Sequence, residues 1–257
     1  MARVIAIANQ KGGVGKTTTT VNLSACLAVK EKRVLTIDID PQGNTTSGLG
    51  IDKTEVKESI YDVIINDLSL ADTVMSTKIE TLGLSPSNIH LAGAEVELVS
   101  VISREMRLKS AIAEIKEQYD YILIDCPPSL GLLTVNALTA ADTILVPIQC
   151  EYYALEGLSQ LMNTVRIVQK HLNPALKVEG VVLTMFDART NLSIQVVEEV
   201  KKYFGNQVYR TIIPRNVRLS EAPSFGLPII LYDERSKGAE SYMELAEEVI
   251  MSAEGRQ

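Results

Sequence analysis

The sequence predicts an α/β protein, a single domain with a mainly parallel sheet and helices on both faces of that sheet. Short runs rich in valine and isoleucine recur along the chain, which is typical of strands buried on both faces. Between them, apolar residues at three- and four-residue spacing indicate amphipathic helices. Strands that alternate with helices favour a parallel sheet. Because no repeat, low-complexity tract or flexible linker is visible, we expect one domain over residues 1–257.

Six segments are predicted to be strands on their apolar, β-branched composition. The predicted strands are residues 4–8, 34–37, 121–124, 143–146, 178–183 and 208–213. A helix-compatible run extends to Val29 after the first strand, and residues 60–65 and a last segment around residues 242–250 also have helical spacing. The segment 44–90 is otherwise difficult to interpret, with turn signals at 85–87. The clearest helical stripe comprises Leu155, Leu158, Leu161, Met162, Val165 and Leu172.

The charge and cysteine content limit the possible partners and cell compartments. The chain carries 25 lysines and arginines against 32 acids, a net charge of −7, so the molecule as a whole does not attract a polyanion. Any nucleic-acid binding therefore requires a local basic patch. Cys26, Cys126 and Cys150 lie outside any C-x-x-C pair, so we expect small buried side chains in a reducing cytoplasm.

Membrane insertion and export are not expected. The N-terminal apolar run covers only residues 4–8, and no later segment approaches the about 20 apolar residues that span a bilayer. We therefore expect a protein that is neither exported nor embedded in a membrane.

The strongest motif is the glycine-rich segment 10–18, Gln-Lys-Gly-Gly-Val-Gly-Lys-Thr-Thr, which lies between a predicted strand and a predicted helix. Such a loop directs backbone N–H groups and the positive end of the helix dipole at an anion. Lys16 would reach the β- and γ-phosphates of ATP, or the β-phosphate of ADP, and the Thr17 hydroxyl would bind Mg²⁺. The residues expected to contact the nucleotide are Lys11, Gly12, Gly13, Val14, Gly15, Lys16, Thr17 and Thr18.

The loop departs from the usual pattern G-x-x-x-x-G-K-[ST], because Gln10 occupies the position of the first glycine and Lys11 follows it. A second ammonium beside Lys16 would gain little in the same site. Lys11 can instead contact the phosphates of a facing subunit, and two-fold symmetry would then supply two such contacts per dimer. The alternative is a solvated lysine that flanks the loop. We expect an ATP-dependent homodimer.

Together, four segments closely resemble the ParA/Soj family of deviant Walker-type ATPases, which partition chromosomes and plasmids. They are residues 11–18, 38–44, 125–128 and 214–224, and the similarity runs in order over essentially the whole chain. The resemblance implies the deviant Walker A form of the P-loop NTPase fold and Mg²⁺-dependent ATP hydrolysis.

Asp38 and Asp40 follow the second predicted strand, at the sheet edge where ligands of open parallel sheets bind. A carboxylate there can orient the attacking water or help to hold Mg²⁺, and the family resemblance favours Asp40 for the water. An ordinary acid in an Asp-Pro turn is the alternative.

Asp125 ends an apolar strand, the Walker B form, and is suited to holding Mg²⁺ with Thr17. Local hydrogen bonding at a strand end is the alternative role. Pro127 and Pro128 must take the chain out of the sheet. Pro214 and Asn216 follow a late strand, and the resemblance implies contact with the adenine base, although the proline could simply mark a turn.

Other catalytic classes have little support in the sequence. His90 and His171 lack an H-E-x-x-H companion, and Ser129 is not in a G-x-S-x-G elbow. We therefore expect both histidines to be structural or surface residues.

A basic stretch suggests DNA binding. Residues 201–218 contain five cations and no acid, and Arg189 is expected on the same face. A solvated surface is the alternative. The family resemblance implies duplex binding without sequence preference by the ATP-bound dimer, with nucleoid association and release through a centromere-binding partner of the ParB/Spo0J type. The cations are Lys201, Lys202, Arg210, Arg215 and Arg218.

Three rival functions are built on the same P-loop fold. A membrane-associated positioning ATPase of the MinD type needs a terminal amphipathic helix with a basic face, whereas the last predicted helix carries Glu240, Glu244, Glu247 and Glu248. A P-loop small-molecule ligase needs a substrate pocket that is not visible in the sequence. An iron protein needs cluster cysteines, which are not suitably placed.

Overall fold

The computed structural model describes residues 2–151 and 156–254, and the helical-stripe residue Leu155 lies outside them. Within these residues all strands join one sheet. The strands are β1 Arg3–Ile7, β2 Val34–Asp38, β3 Met75–Ser76, β4 Leu82–Ser85, β5 Tyr121–Asp125, β6 Thr143–Gln149, β7 Lys177–Phe186 and β8 Val208–Pro214. Their order across the sheet is β3-β4-β2-β5-β1-β6-β7-β8.

The predicted α/β fold is confirmed. All six predicted strands are present and pair in parallel, and only the short edge strand β3 runs antiparallel, to β4. The strands β3 and β4 lie in the segment 44–90, where the sequence pattern predicted no strand. At two and four residues they are too short for a periodic pattern to reveal.

The first eight helices occupy the connections between strands, as the alternating pattern predicts, and the last three follow β8. Leu172 follows the end of the helix to which its apolar stripe belongs. The helices are α1 Lys16–Val29, α2 Asn44–Gly48, α3 Ile60–Asn66, α4 Leu91–Glu97, α5 Arg107–Ile115, α6 Leu132–Ala140, α7 Glu156–His171, α8 Asn191–Phe204, α9 Val217–Glu221, α10 Ile229–Tyr232 and α11 Lys237–Glu254.

Both faces of the sheet are buried, which explains the continuous apolar runs in its strands. In β5, Ile122 and Ile124 pack into one core with residues of α3 to α8, while Tyr121 and Leu123 pack into a second core with α1 and α11. Hydrophobic burial on two faces therefore positions the central strands rigidly. The three cysteines are all buried, as expected.

The strand register places acidic residues side by side at the carboxyl edge. Asp38 at the end of β2 lies opposite Asp125 at the end of β5, and Asp125 also lies opposite Ile7 at the end of β1. The glycine-rich loop leaves β1 at this same edge. Parallel pairing thus brings three sequence motifs to one place.

Among residues 2–151 and 156–254, no helix combines the length and the apolar composition that crossing a membrane requires.

Candidate functional site

The glycine-rich loop connects β1 to α1, in the strand-loop-helix context that the motif predicts. Gly13 and Gly15 have φ values of +72° and +88°, a conformation that disfavours any side chain with a Cβ atom. Asn9 Oδ1 accepts a hydrogen bond from the backbone N–H of Lys11 at 3.0 Å. The Thr184 hydroxyl, from β7, donates to the carbonyl oxygen of Val14 at 2.8 Å. The loop is therefore anchored at both ends.

Lys16 lies inside this loop and is only 6% exposed. Its ammonium donates to the carbonyl oxygen of Lys11 at 3.2 Å. Burial lowers the pKa of Lys16, and the negative charges of Asp125 and Asp40 oppose that effect. The lysine is thus a buried cation close to two carboxylates.

Asp125 is fully buried and accepts hydrogen bonds from three threonine hydroxyls. Thr17 donates at 2.8 Å, Thr45 at 2.7 Å and Thr20 at 3.2 Å. Burial raises the pKa of Asp125 above its ordinary value, while the hydrogen bonds from Thr45 and Thr17 lower it. The sequence predicted only the Thr17 partner. A weak signal for Thr45 exists in the polar run after Asp40, but nothing in the sequence indicated Thr20.

Asp38 and Asp40 have different surroundings. Asp38 is the last residue of β2 rather than a loop residue, and its carboxylate accepts from the backbone N–H and the hydroxyl of Thr46 at 2.8 and 2.7 Å. One oxygen of Asp40 accepts from the backbone N–H of Gln42 at 2.9 Å, and its other oxygen accepts no hydrogen bond within the described residues. Asp38 therefore stabilises the turn between β2 and α2, and Asp40 keeps one carboxylate oxygen available to accept a hydrogen bond from a ligand or water.

The donor atoms around Asp125 fit a magnesium ion. Mg²⁺ prefers oxygen ligands and is usually held by one or two carboxylates together with substrate phosphates. The Asp125 carboxylate and the Thr17 hydroxyl supply such oxygens at the end of the loop. No group of three His, Cys, Asp or Glu side chains that could hold a metal occurs in residues 2–151 and 156–254. The ion that fits here is one that shares its coordination with phosphates.

A cavity of about 340 Å³ lies beside the loop and α1. Its walls include Gly15 and Thr18 from the phosphate motif, together with Pro214 and Asn216 from the late strand and the turn after it. Pro214 is the last residue of β8, and Asn216 Oδ1 caps α9 by accepting from the backbone N–H of Arg218 at 2.8 Å. The structure therefore brings the predicted base and phosphate residues to one cavity. No sequence pattern indicated the wall residues Thr184, Met185 and Tyr242.

The basic residues form two groups rather than one patch. Lys201 and Lys202 lie in the last turn of α8, near the amino end of β8, where Arg210 also lies. The second group, at the carboxyl end of β8, comprises Arg189, Arg215 and Arg218. Since α8 has 14 residues, the two groups are about 20 Å apart along the edge strand.

The chain matches the AAA domain family over residues 2–178. It is 67% identical to the sporulation initiation inhibitor protein Soj of Bacillus subtilis over 97% of this chain and 98% of that protein. It is 57% identical to the chromosome partitioning protein ParA of Myxococcus xanthus over 97% of this chain and 88% of that protein.

Two solved structures have the same architecture. One is cobyrinic acid a,c-diamide synthase from Mycobacterium smegmatis with bound ADP and magnesium, which is 38% identical, with a TM-score of 0.88 over 100% of this chain and 97% of that chain. The other is the septum site-determining protein MinD from Pyrococcus horikoshii with Mg-ADP, which is 29% identical, with a TM-score of 0.83 over 100% and 99%. The match to Soj and ParA over nearly the full chain confirms the resemblance seen in the motifs, and the protein belongs to the Soj/ParA family of chromosome-partitioning P-loop ATPases.

Proposed function

We propose that the protein binds Mg-ATP, closes into a homodimer over two nucleotides, and in that state binds duplex DNA without sequence preference. Hydrolysis, stimulated by a ParB/Spo0J-type centromere-binding protein, then returns it to the monomer and releases the DNA. In a cell such a cycle would place the protein on the nucleoid within the cytoplasm.

The environment of Lys11 carries the dimer proposal. Its backbone is tied to Asn9 and Lys16, but its ammonium forms no hydrogen bond or ion pair with the described residues. The adjacent Gly12 and Gly13 are exposed, and a Cβ atom on either would meet nothing within 4 Å. The space in front of the loop is therefore open, and the Lys11 ammonium is free to contact the phosphates of a facing protomer.

The roles within one site follow from its contacts. Lys16 and the loop N–H groups would bind the β- and γ-phosphates, and Thr17 and Asp125 would hold Mg²⁺. When bound, the ion neutralises charge on the phosphate oxygens. Asp40, with its available oxygen, would orient the attacking water and accept its proton as the bond from the γ-phosphorus to ADP breaks.

The base would occupy the cavity of about 340 Å³ against Pro214 and Asn216. The oxygen of the Asn216 amide is engaged in capping α9. Its NH₂ group is therefore the part available to donate to an acceptor nitrogen of adenine.

The net charge of −7 repels DNA, so binding requires a local concentration of cations. We therefore assign DNA binding to the two basic groups. Dimerisation would double the number of cations that face one duplex. Phosphate contacts release counterions, so affinity rises steeply with the number of contacts. The cations proposed to contact phosphate are Arg189, Lys201, Lys202, Arg215 and Arg218.

A small-molecule ligase is the second candidate, because one similar structure is named a cobyrinic acid a,c-diamide synthase. The identity to that protein is 38%, against 67% to Soj. The two candidates predict different activators of ATP turnover. A partitioning ATPase responds to DNA and a protein partner, whereas a ligase responds to its small-molecule substrate.

The test is phosphate release from Mg-ATP with the purified chain alone, with duplex DNA, and with DNA plus the ParB-type protein from the same organism. We expect the highest rate with DNA and partner together. Stimulation by cobyrinic acid together with a nitrogen donor for amide formation, with no response to DNA and partner, would reverse the assignment.

A further inference from the structure

We infer that Asp187 competes with DNA phosphate for Arg189, so that the chain's own carboxylates limit how tightly it binds DNA. This inference rests on the proposed DNA binding. It concerns the group of arginines at the carboxyl end of β8, and it assigns a role to acids that the sequence pattern did not single out.

Every arginine of that group is paired with a carboxylate within the chain. Arg189 pairs with Asp187 at 2.6 Å and Arg215 with Glu151 at 3.5 Å. Arg218 pairs with Glu221 at 2.9 Å and with Asp233 at 3.5 Å. In contrast, Lys201 and Lys202 form no ion pair with any residue in 2–151 or 156–254. The two basic groups therefore differ in how much of their charge is available to a ligand.

The contact between Arg189 and Asp187 has the geometry with which arginine binds phosphate. Nε donates to Oδ1 at 2.8 Å and Nη2 donates to Oδ2 at 2.6 Å, two parallel bonds to one planar anion. The same carboxylate accepts from the backbone N–H of Arg189 at 3.0 Å. These bonds hold the pKa of Asp187 well below its ordinary value of 3.8, so the carboxylate is ionised wherever DNA binding is measured.

Arg189 is nevertheless open to a ligand, since its side chain is 86% exposed. A DNA phosphate that binds the Nε–Nη2 edge displaces Asp187, and one that binds the other edge, Nη1 and Nη2, lies close to it. In both positions the carboxylate stays near the DNA backbone and repels it. Part of the gain from the new contact is thereby cancelled. Replacing Asp187 with asparagine keeps an oxygen that can accept from the Arg189 N–H but removes the competing charge.

The chain offers a matched control in the pair of Arg33 and Asp120. There Nη2 donates to Oδ1 at 2.9 Å and Nε donates to Oδ2 at 3.3 Å, and the carboxylate accepts from the backbone N–H of Arg33 at 2.8 Å. The two residues directly precede β2 and β5, at the amino edge of the sheet, away from the nucleotide site. Asp120→Asn changes the net charge by the same amount as Asp187→Asn.

The experiment measures dissociation constants for a fluorescent duplex of arbitrary sequence, with Mg-ATP and with Mg-ADP, at several salt concentrations. The proteins are wild type, Asp187→Asn, Asp120→Asn, Arg189→Gln and the double variant Asp187→Asn, Arg189→Gln. We expect Asp187→Asn to bind about two- to five-fold more tightly than wild type with ATP, the range set by exposed ion pairs. Asp120→Asn should match wild type, and the gain should disappear in the Arg189→Gln background.

Three results would overturn the inference while wild type still binds DNA. They are no gain from Asp187→Asn, an equal gain from Asp120→Asn, or a gain that persists without Arg189. If neither wild type nor Asp187→Asn binds DNA with either nucleotide, the proposed DNA binding itself is wrong. Misfolding does not imitate the expected result, because a gain that needs ATP and disappears without Arg189 requires a folded protein.

Discussion

Lys11 and Lys16 lie five residues apart in one loop, yet their side chains have opposite surroundings. The ammonium of Lys16 is enclosed by the loop and interacts with Asp125 and Asp40. The ammonium of Lys11 has no partner among the described residues. This difference in surroundings agrees with the two proposed roles. Lys16 would bind the phosphates of its own site, and Lys11 would bind the phosphates of the facing protomer.

Lys11→Ala is expected to abolish association in the presence of ATP. A charge-assisted hydrogen bond contributes about 1.5–3 kcal/mol, so two across a symmetric interface contribute about 3–6 kcal/mol. Reversing a 1:99 equilibrium takes about 5.5 kcal/mol, which is within this range. Light scattering with ATP and with ADP measures the association. Lys177→Ala, at the exposed start of β7, is the control and should behave as wild type. Dimerisation of Lys11→Ala that equals wild type would refute the role of this lysine.

Asp40→Ala is expected to leave ATP affinity nearly unchanged and to lower turnover about 10²- to 10⁴-fold, the usual contribution of a positioned base. The reason is that Asp40 has a free carboxylate oxygen, while the proposed phosphate and Mg²⁺ contacts belong to other residues. Equilibrium binding of a nucleotide and phosphate release measure the two quantities. Asp72→Ala, on the exposed surface, serves as the control. Turnover within a factor of three of wild type would remove Asp40 from the mechanism.

At the scale of elements, the pairing of β2 with β5 places two carboxylates side by side in the core. Asp38 and Asp125 are both fully buried. Their hydrogen-bond partners are threonine hydroxyls and backbone N–H groups. Although Lys16 lowers the pKa of Asp125, burial raises the pKa of each carboxyl above its ordinary value. The negative charge of Asp125 raises the pKa of Asp38 further. Without nucleotide and Mg²⁺, this sheet edge therefore destabilises the folded chain at neutral pH.

Asp38→Asn is expected to stabilise the free protein above about pH 5. Because the pKa of Asp38 is raised in the folded state, its protonated carboxyl stabilises wild type fully below the ordinary pKa of 3.8. Wild type loses this stabilisation as the pH rises through the raised pKa, whereas asparagine stays neutral. A tenfold difference in the acid dissociation constant between the folded and unfolded chain corresponds to about 1.4 kcal/mol of unfolding free energy. One kcal/mol moves the Tm of a chain of this size by roughly 2–4 °C.

Thermal melting from pH 4 to pH 8, with EDTA and without nucleotide, measures this effect. The advantage of Asp38→Asn over wild type should grow as the pH rises. Asp120→Asn should show the opposite sign, because Arg33 lowers the pKa of Asp120 in the folded state. An advantage that does not change with pH would mean that the titration of Asp38 plays no part.

At the scale of the whole molecule, two groups of cationic residues lie at opposite ends of the edge strand β8 in an acidic protein. The basic groups lie at the two ends of β8, and the net charge of the chain is −7. One protomer alone presents few cations to a duplex, and the general field of the molecule repels it. Binding that requires two copies then depends on ATP through the dimer.

We expect duplex DNA to bind with ATP but not with ADP, and the affinity to fall steeply as salt rises. An Arg189→Glu, Arg218→Glu double variant should lose this binding while keeping ATP turnover without DNA. The variant Arg33→Glu, Lys109→Glu changes the net charge equally, just before β2 and in α5, away from β8, and should retain binding. Fluorescence anisotropy at several salt concentrations is the measurement. Equal binding with ADP and ATP would contradict the coupling between dimerisation and DNA.

Much of the fold and of the central site was predictable from local patterns. The six strands and the loop ending at Lys16 and Thr17 depend on residues that are close in sequence, so composition and spacing reveal them. Asp125 was predicted because an acid at the end of a buried strand is itself a local pattern. The partners Thr20 and Thr45 were not, because they are 105 and 80 residues from Asp125.

By itself, the sequence determined the α/β class, the phosphate loop and the family, because short-range patterns and motifs express them. Only the tertiary structure decided that Asp38 is held by Thr46 while Asp40 keeps a free oxygen, and that the cations divide into two groups. It also decided that the arginines at the end of β8 are paired with acids. The physical reason is that hydrogen bonds and ion pairs depend on which strand ends meet at one sheet edge, and strand pairing is settled only when the whole core packs.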